Sequence, residues 1–335
     1  AAQLAAFSAS GEGTTFGLRG YQPSDRIELT NTRGLAIGSG FSAFAGLWQD
    51  TTYIDLFDAS PSPAMIATFA IGPASASAPL YDAAGYANDV VITRDGAYAL
   101  VNSDNFVHIV DIGNGTIKAF NIGGPGFGPS PTTWTPANLC TPNRAVDSIA
   151  VTNDRAVVTT ARIEGNDMVT WVYLFDLNAK SIVLEQRVAP LTLPPGEIEL
   201  RPHDVAITPN GEMAVVTMHR MIALFDLVTD KMIGSYYNEE SSRLYQRQVD
   251  SAEVTDDRAV VIADRRQGGT GTPHWELEVW DISRTSPFLT RRVQYTDPNY
   301  PNGPESRSHD LEIAPGDTQA LVRTSFDNLF INSLV

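Results

Sequence analysis

The chain has 335 residues, is 43% hydrophobic, and carries 39 acidic against 23 basic residues, for a net charge of -16. This negative balance argues against binding to a nucleic-acid backbone, which requires a basic surface. Its one cysteine, Cys140, excludes an intramolecular disulfide and a zinc site built from cysteines, and no apolar run is long enough to span a bilayer.

Six segments along the chain open on an aspartate and continue as an apolar strand. They open at Asp25, Asp89, Asp147, Asp204, Asp250 and Asp310. Consecutive openings lie 64, 58, 57, 46 and 60 residues apart. Self-similarity at a nearly constant spacing is the signature of a repeat architecture, so the sequence predicts six repeats.

Each repeat has a second marker, an apolar strand that ends at position 58, 111, 176, 226, 281 or 332. The two markers are 22 residues apart in the even repeats and 33, 29 and 31 residues apart in the odd ones. The turn after the first strand alternates as well, with Asp95-Gly96 and Asn210-Gly211 in even repeats. Such pairs are typical of tight hairpin turns. The chain is therefore interpreted as a threefold repeat of paired repeats, the odd ones carrying an insertion.

Runs of Val, Ile, Leu and aromatic residues between turn residues predict four antiparallel strands in each repeat. This pattern is typical of an all-β fold, a six-bladed β-propeller, with seven blades as the alternative. We expect one propeller domain over residues 1–335. The last repeat ends three strands in, so LAAFSAS (Leu4 to Ser10) is predicted to supply its fourth strand. The expected blades are 25–73, 89–124, 147–190, 204–240, 250–298 and 310–335 with 1–12.

One stretch carries a resemblance to a known family. PHDVAITPNGEMAVV followed by IALFDLVTDKMIGSY resembles the YVTN type of β-propeller repeat, which is close to the lactonase-like propellers. The resemblance implies the fold. It implies no single activity, because that superfamily includes envelope proteins, companions of redox enzymes, lyases and lactonases.

The propeller interpretation places a candidate site at the mouth of the central channel. The six opening aspartates are expected to ring this mouth, together with the odd-repeat insertions, read as loops. Loops on a rigid scaffold are where function concentrates. The predicted binding residues on this face are Arg162, Arg220, Arg265, Arg323, His219, Trp48 and Trp134.

The aspartate ring has two interpretations. Each carboxylate can bond backbone N–H groups of its own loop, which is a structural role that repetition in every blade favours. Alternatively, Asp89, Asp204 and Asp310 bind a calcium-like ion, since oxygen-rich clusters suit hard cations. In that case His203 or His309, each directly before an opening aspartate, is the candidate general base.

Two functions follow from these interpretations. The first is a non-catalytic binding or scaffold propeller of the bacterial envelope, which holds a protein, peptide or glycan on the loop face. The alternative is a metal-dependent hydrolase, lactonase or lyase with its site at the channel mouth. The opening Ala1-Ala2-Gln3 resembles the end left by signal-peptide cleavage, so a periplasmic or extracellular location is expected.

Overall fold

The structure is a computed structural model. It describes residues 3–7, 13–17, 22–29, 33–44, 47–58, 65–71, 87–103, 106–122, 146–164, 167–188, 202–218, 221–237, 245–267, 274–282, 288–295, 308–314, 318–324 and 329–333. Within these residues the regular secondary structure is β-strand, and no helix is long and apolar enough to cross a membrane.

The chain forms two compact units. Unit 1 comprises residues 1–154 and 177–180, and unit 2 comprises residues 155–176 and 181–335. The strands of unit 1 are β1 Gln3–Phe7, β2 Gly13–Gly17, β3 Gln22–Leu29, β4 Arg33–Phe44, β5 Leu47–Asp58, β6 Met65–Ile71, β7 Ala87–Ile92, β8 Tyr98–Ser103, β9 Phe106–Asp111, β10 Thr116–Asn121 and β11 Val146–Val151.

Unit 2 continues with the remaining strands. They are β12 Arg155–Glu164, β13 Asp167–Asp176, β14 Ser181–Val188, β15 Pro202–Ile207, β16 Met213–Met218, β17 Met221–Asp226, β18 Lys231–Tyr237, β19 Tyr245–Val254, β20 Arg258–Gln267, β21 His274–Asp281, β22 Phe288–Tyr295, β23 Ser308–Ile313, β24 Gln319–Thr324 and β25 Leu329–Ser333.

The strands pair with their neighbours in sequence to form antiparallel meanders. In unit 1, β3 to β6 form sheet I and β7 to β10 form sheet II. In unit 2, β12, β13 and β14 pair in that order within sheet III. β15 to β18 form sheet IV, β19 to β22 form sheet V, and β23 to β25 form sheet VI. The predicted all-β fold of four-stranded antiparallel sheets is confirmed at this level.

The sheets pack face to face through apolar side chains that alternate along their strands. Leu56 and Phe69 of sheet I pack against Val90, Ala99 and Val101 of sheet II. Sheets IV and V share a second core, and sheets V and VI a third. Period-2 alternation gives each strand a side chain toward each neighbour, which explains why the interior strands β16 and β17 are apolar on both faces.

The odd-repeat insertions form longer hairpins instead of the expected loops. β4 and β5 each have 12 residues and pair over their whole length, which places Trp48 in β5, opposite Ala43. β12 and β13 likewise pair over ten residues each. The prediction that Trp48 lies in a loop is therefore wrong. Continued pairing satisfies backbone N–H and C=O groups that a loop would leave to solvent.

The amino-terminal strand has a different partner from the one expected. β1 pairs with β2, from Gln3 opposite Gly17 to Phe7 opposite Gly13. Sheet VI has three strands among the described residues. Closure of the last sheet by Leu4 to Ser10, and with it the number of blades, is not confirmed.

Candidate functional site

A β-bulge lies beside the opening aspartate in sheets II, IV, V and VI. In sheet IV, Pro202 pairs with Met218 and Asp204 with Thr217, so His203 is the extra residue. The extra residue is Asn88 in sheet II, Asp250 in sheet V and His309 in sheet VI. Bulges re-aim side chains and recur next to active sites. The sequence pattern that predicts the strands does not reveal which residue is bulged.

The bulges show that the opening aspartates occupy two different positions. Asp204 follows the bulged residue in sheet IV, whereas Asp250 is itself the bulged residue in sheet V. The sequence agrees, since Asp204 lies four residues before the turn threonine Thr208 and Asp250 lies five before Thr255. Even and odd repeats thus differ by one residue, and Asp250 takes the place of His203.

The carboxylate of Asp204 joins two neighbouring first strands. One oxygen accepts the N–H of Val205 at 2.8 Å and the other accepts the N–H of Ala252 in β19 at 3.1 Å. A carboxylate that accepts backbone N–H groups on both oxygens fixes the two strands relative to each other. These bonds agree with the first interpretation of the opening aspartates, in which the carboxylate bonds backbone N–H groups.

A second link lies at the opposite end of the same strands. The N–H of Asn210 donates to Asp256 Oδ1 at 2.8 Å. The equivalent bond in unit 1 runs from the N–H of Asp95 to Asn153 Oδ1 at 3.1 Å. The links from Asp204 to Ala252 and from Asn210 to Asp256 advance in the same direction along both strands. β15 and β19 therefore lie side by side and run parallel.

Three chemically active residues occupy the bulge position in unit 2. They are His203 in β15, Asp250 in β19 and His309 in β23. β19 packs beside both β15 and β23. By register, an aspartate thus stands between two histidines on three adjacent strands. We call this set the bulge row.

The backbone pairing in the same unit also places three of the predicted basic residues. Arg323 pairs with Asp310 on the backbone of sheet VI. Arg265 pairs with Arg247 on one side and with His274 on the other, in the extended part of sheet V. Arg162 pairs with Val169. Arg247 and His274 were not among the predicted site residues. The one sequence signal for either is that His274 lies in an odd-repeat insertion.

Several predicted site residues are placed by their strands alone or lie outside the described residues. Trp134, His219 and Arg220 lie outside the described residues. The structure describes the strands but not the side chains of Asp25, Trp48, Asp89, Asp147, Arg162, His203, Asp250, Arg265, His309, Asp310 and Arg323. Among the described residues, no three His, Cys, Asp or Glu side chains gather as a metal site.

Two aspartates that end second-marker strands, Asp226 and Asp111, cap the turns that follow them. Asp226 Oδ1 accepts the N–H groups of Val228 and Thr229 at 2.9 and 3.1 Å. Asp111 accepts the N–H of Asn114 at 3.0 Å and binds Lys180 Nζ at 2.6 Å. The Lys180 and Asn114 bonds lower the pKa of Asp111 to about 2. These carboxylates stabilise the meanders and are not available for catalysis.

Three further ionisable side chains lie inside the sheets. His108 is buried in β9, and burial lowers its pKa to about 4. Glu276 and Glu278 are buried in β21. Arg292 Nη2 lies 3.0 Å from Glu278, and its Nε lies 3.6 Å from Glu276. This cluster anchors the outer strand of sheet V. The indole N–H of Trp280 donates to Glu278 Oε2 at 3.1 Å.

Comparison with known proteins gives the fold. No protein family matches this chain, and no curated protein matches it. Hydrazine synthase of Kuenenia stuttgartiensis is 13% identical, with a TM-score of 0.54 over 92% of this chain and 76% of that chain. A periplasmic gluconolactonase of Pseudomonas aeruginosa is 12% identical, with a TM-score of 0.53 over 99% and 87%.

The likeness supports a β-propeller fold, and at the level of fold alone the chain is similar to a lactonase propeller. The YVTN type of repeat stays a prediction. The expectation of a non-catalytic binding propeller is contradicted, because a solved structure that shares the fold is a gluconolactonase, which fits the hydrolase alternative better.

Proposed function

We propose that this chain is a hydrolase that opens cyclic esters of hydroxylated acids, such as sugar lactones. The observation that carries the proposal is the bulge row, in which Asp250 stands between His203 and His309 on adjacent strands. The gluconolactonase likeness supplies the substrate class. A histidine oriented by a carboxylate is the standard general base for activating a nucleophile.

The proposed reaction is water addition to the lactone carbonyl. The neutral imidazole of His203 or His309 takes a proton from water while the oxygen bonds to the carbonyl carbon. The tetrahedral oxyanion collapses, the ring C–O bond breaks, and the imidazolium returns the proton to the departing alkoxide. The product is the open hydroxy acid, and no oxidant or reductant is consumed. Asp250 holds the imidazole and stabilises its charged form.

A positively charged side chain is proposed to stabilise the negative charge that develops in the reaction. The oxyanion and the product carboxylate are both negative, and the chain as a whole carries a charge of -16. Arg323, which pairs with Asp310 next to His309, is the proposed oxyanion partner. A fixed guanidinium aimed at developing charge is among the largest contributions to catalysis.

A calcium-like ion remains a separate proposal. Of the predicted ligands, Asp204 already accepts two backbone N–H groups, so it fits a strand-linking role better than an ion cage. Asp89 and Asp310 stay candidate ligands, and an ion-binding measurement tests them. If it binds, the ion would polarise the carbonyl; no step above depends on it. Melting the protein with calcium and with EDTA tests it, since a tight site raises the melting temperature.

The activity is tested with glucono-δ-lactone in a pH-stat, as acid release above the rate without protein. We expect turnover by the natural chain. H203N or H309N should lower kcat by about 10²- to 10⁴-fold, because each removes a candidate base. The matched control is N88A, which changes the bulge position of unit 1. An unaltered rate in both histidine variants, or no turnover by the natural chain, would exclude this mechanism.

Blade number and location belong to the same proposal. Six repeats and a threefold alternation account for the chain, and a periplasmic setting matches the location given for the gluconolactonase that shares the fold. An experimental structure that counts the sheets decides the first point. Fractionation of the natural host with antibodies against the chain decides the second.

A further inference from the structure

A second concave site lies in unit 1, between sheets I and II. Its volume is about 410 Å³. Leu56, Ile66 and Ala67 form the wall on sheet I, and Tyr98, Asp111 and Asn114 lie on the wall of sheet II. A volume at the lower end of the range for ligand pockets suits a small molecule. The cleft shares no residue with the bulge row.

The turn of sheet II that follows Asp111 lacks a side chain at its last position. The fourth residue of the turn before the last strand is Gly115 in sheet II, Lys180 in the turn after β13 and Asp230 in sheet IV. All three have positive φ, at 67°, 47° and 52°. Lys180 reaches back to Asp111 at 2.6 Å, and Asp230 reaches back to Arg155 at 3.7 Å. Gly115 has nothing to extend toward sheet I.

Two more positions in sheet II carry small residues. Ala97 stands where sheet IV has Glu212, and Gly113 stands where sheet IV has Val228. A Cβ on Gly113 would meet only Asp111 Oδ1, at an ordinary contact distance of 3.7 Å. The backbone does not require glycine there. The space is therefore a difference in side chains between otherwise matching turns, and not a gap forced by packing.

The chemistry of the cleft is apolar on one side and polar on the other. Ile66 is 46% exposed, so an apolar side chain lies uncovered at the rim. Across from it, the carboxylate of Asp111 binds Lys180 Nζ at 2.6 Å. An anion would face Asp111 and a net charge of -16. A cation would compete with Lys180 for a carboxylate that is almost fully buried.

We propose that this cleft binds a neutral hydroxylated ring, of the size and type of a monosaccharide. The C–H face of such a ring packs against Ile66 and Ala67, and its hydroxyl groups reach Tyr98 and Asn114. This site goes beyond the proposed hydrolase activity and does not depend on it, because the ligand needs no lactone bond.

The test uses methyl β-glucopyranoside, a neutral ring that cannot be hydrolysed as a lactone. Its binding to the full chain is followed by saturation-transfer NMR and titrated. A ligand of this size is expected to have a Kd on the order of 1 mM. Glucuronate, its anionic counterpart, should bind at least about tenfold more weakly, because its charge faces Asp111.

Two variants that introduce the equivalent residues of sheet IV test whether the ligand binds in this cleft. G113V and, separately, A97E fill the cleft with the side chains that sheet IV carries, and each should weaken glucoside binding by about tenfold or more. I117A changes an exposed residue of β10 outside the cleft and should bind like the natural chain. Melting curves show that each variant is folded. Absence of glucoside binding, or binding that neither filling variant weakens, would overturn the proposal.

Discussion

At the scale of single residues, polar side chains define how neighbouring strands are held. Asp204 accepts N–H groups from Val205 and Ala252, and Asp111 binds Lys180. The sequence indicated that the opening aspartates bond backbone groups. It could not show that Asp204 reaches the next sheet, because that bond depends on a strand 48 residues further along the chain.

The first prediction concerns Asp204. D204A removes the acceptor of two backbone N–H groups and should lower the free energy of unfolding by about 1 to 3 kcal/mol, since unmet donors between packed strands are costly. Urea unfolding followed by circular dichroism measures this change. S251A, which alters the residue at the corresponding register position of sheet V, is the comparison variant. Equal stability of D204A and the natural chain would contradict the assigned role.

The second prediction concerns His108. Its pKa is about 4 when folded and about 6.5 when unfolded. The unfolded chain therefore binds the proton first as pH falls, so the stability present above pH 6.5 is lost progressively down to about pH 4, by about 3 kcal/mol in all.

H108Q tests the His108 prediction because glutamine is neutral throughout this range. The unfolding free energy of the natural chain minus that of H108Q, measured by urea unfolding from pH 7.5 to 4.5, should decrease as pH falls. This range stays above the region in which Asp111 titrates, whose pKa is about 2. A difference that is constant with pH would show that His108 does not titrate as described.

At the scale of elements, the turns were the most predictable feature. In each described turn after a first strand, threonine bonds the Asp or Asn two residues later; Thr208 Oγ1 donates to Asn210 at 2.7 Å and accepts the N–H of Met213 at 3.0 Å. The local sequence contains all of these partners, so it predicts the turn. The insertions were read as loops because the pairing of Trp48 with Ala43 is not a local signal.

The third prediction compares two of these threonines. T208V should destabilise the chain by about 1 to 3 kcal/mol, because Thr208 is 1% exposed and water cannot replace its bonds. T152V makes the same change in the turn after β11, where Thr152 is partly exposed, and should cost less. The midpoints of urea unfolding measure both. A larger effect at Thr152 than at Thr208 would contradict the reasoning from burial.

The bulges were the element that sequence comparison could not resolve. Aligning Asp250 with Asp204 by residue type was natural, yet one extra residue in the strand shifts Asp250 to the position of His203. The burial of Glu278 was equally hidden, since it depends on Arg292 in the next strand. Both cases show that one-residue register differences decide which polar groups meet.

At the scale of the whole molecule, the sequence established the class of fold, and the functional interpretation had to be revised. Four-stranded meanders were predicted and found. The non-catalytic function was replaced by a proposed enzymatic one, because a repeat pattern carries information about packing and little about chemistry. The proposed chemistry depends on the bulge row of unit 2, which differs between repeats that are otherwise alike.

The central claim is that Asp250 belongs to the catalytic row and not to the strand-linking set. The most direct measurement is kcat/KM for glucono-δ-lactone in D250N and in N88A, each compared with the natural chain. The account predicts a loss of about 10²-fold or more in D250N, with its melting temperature unchanged, and a natural value in N88A. Equal kcat/KM in D250N and the natural chain would contradict it.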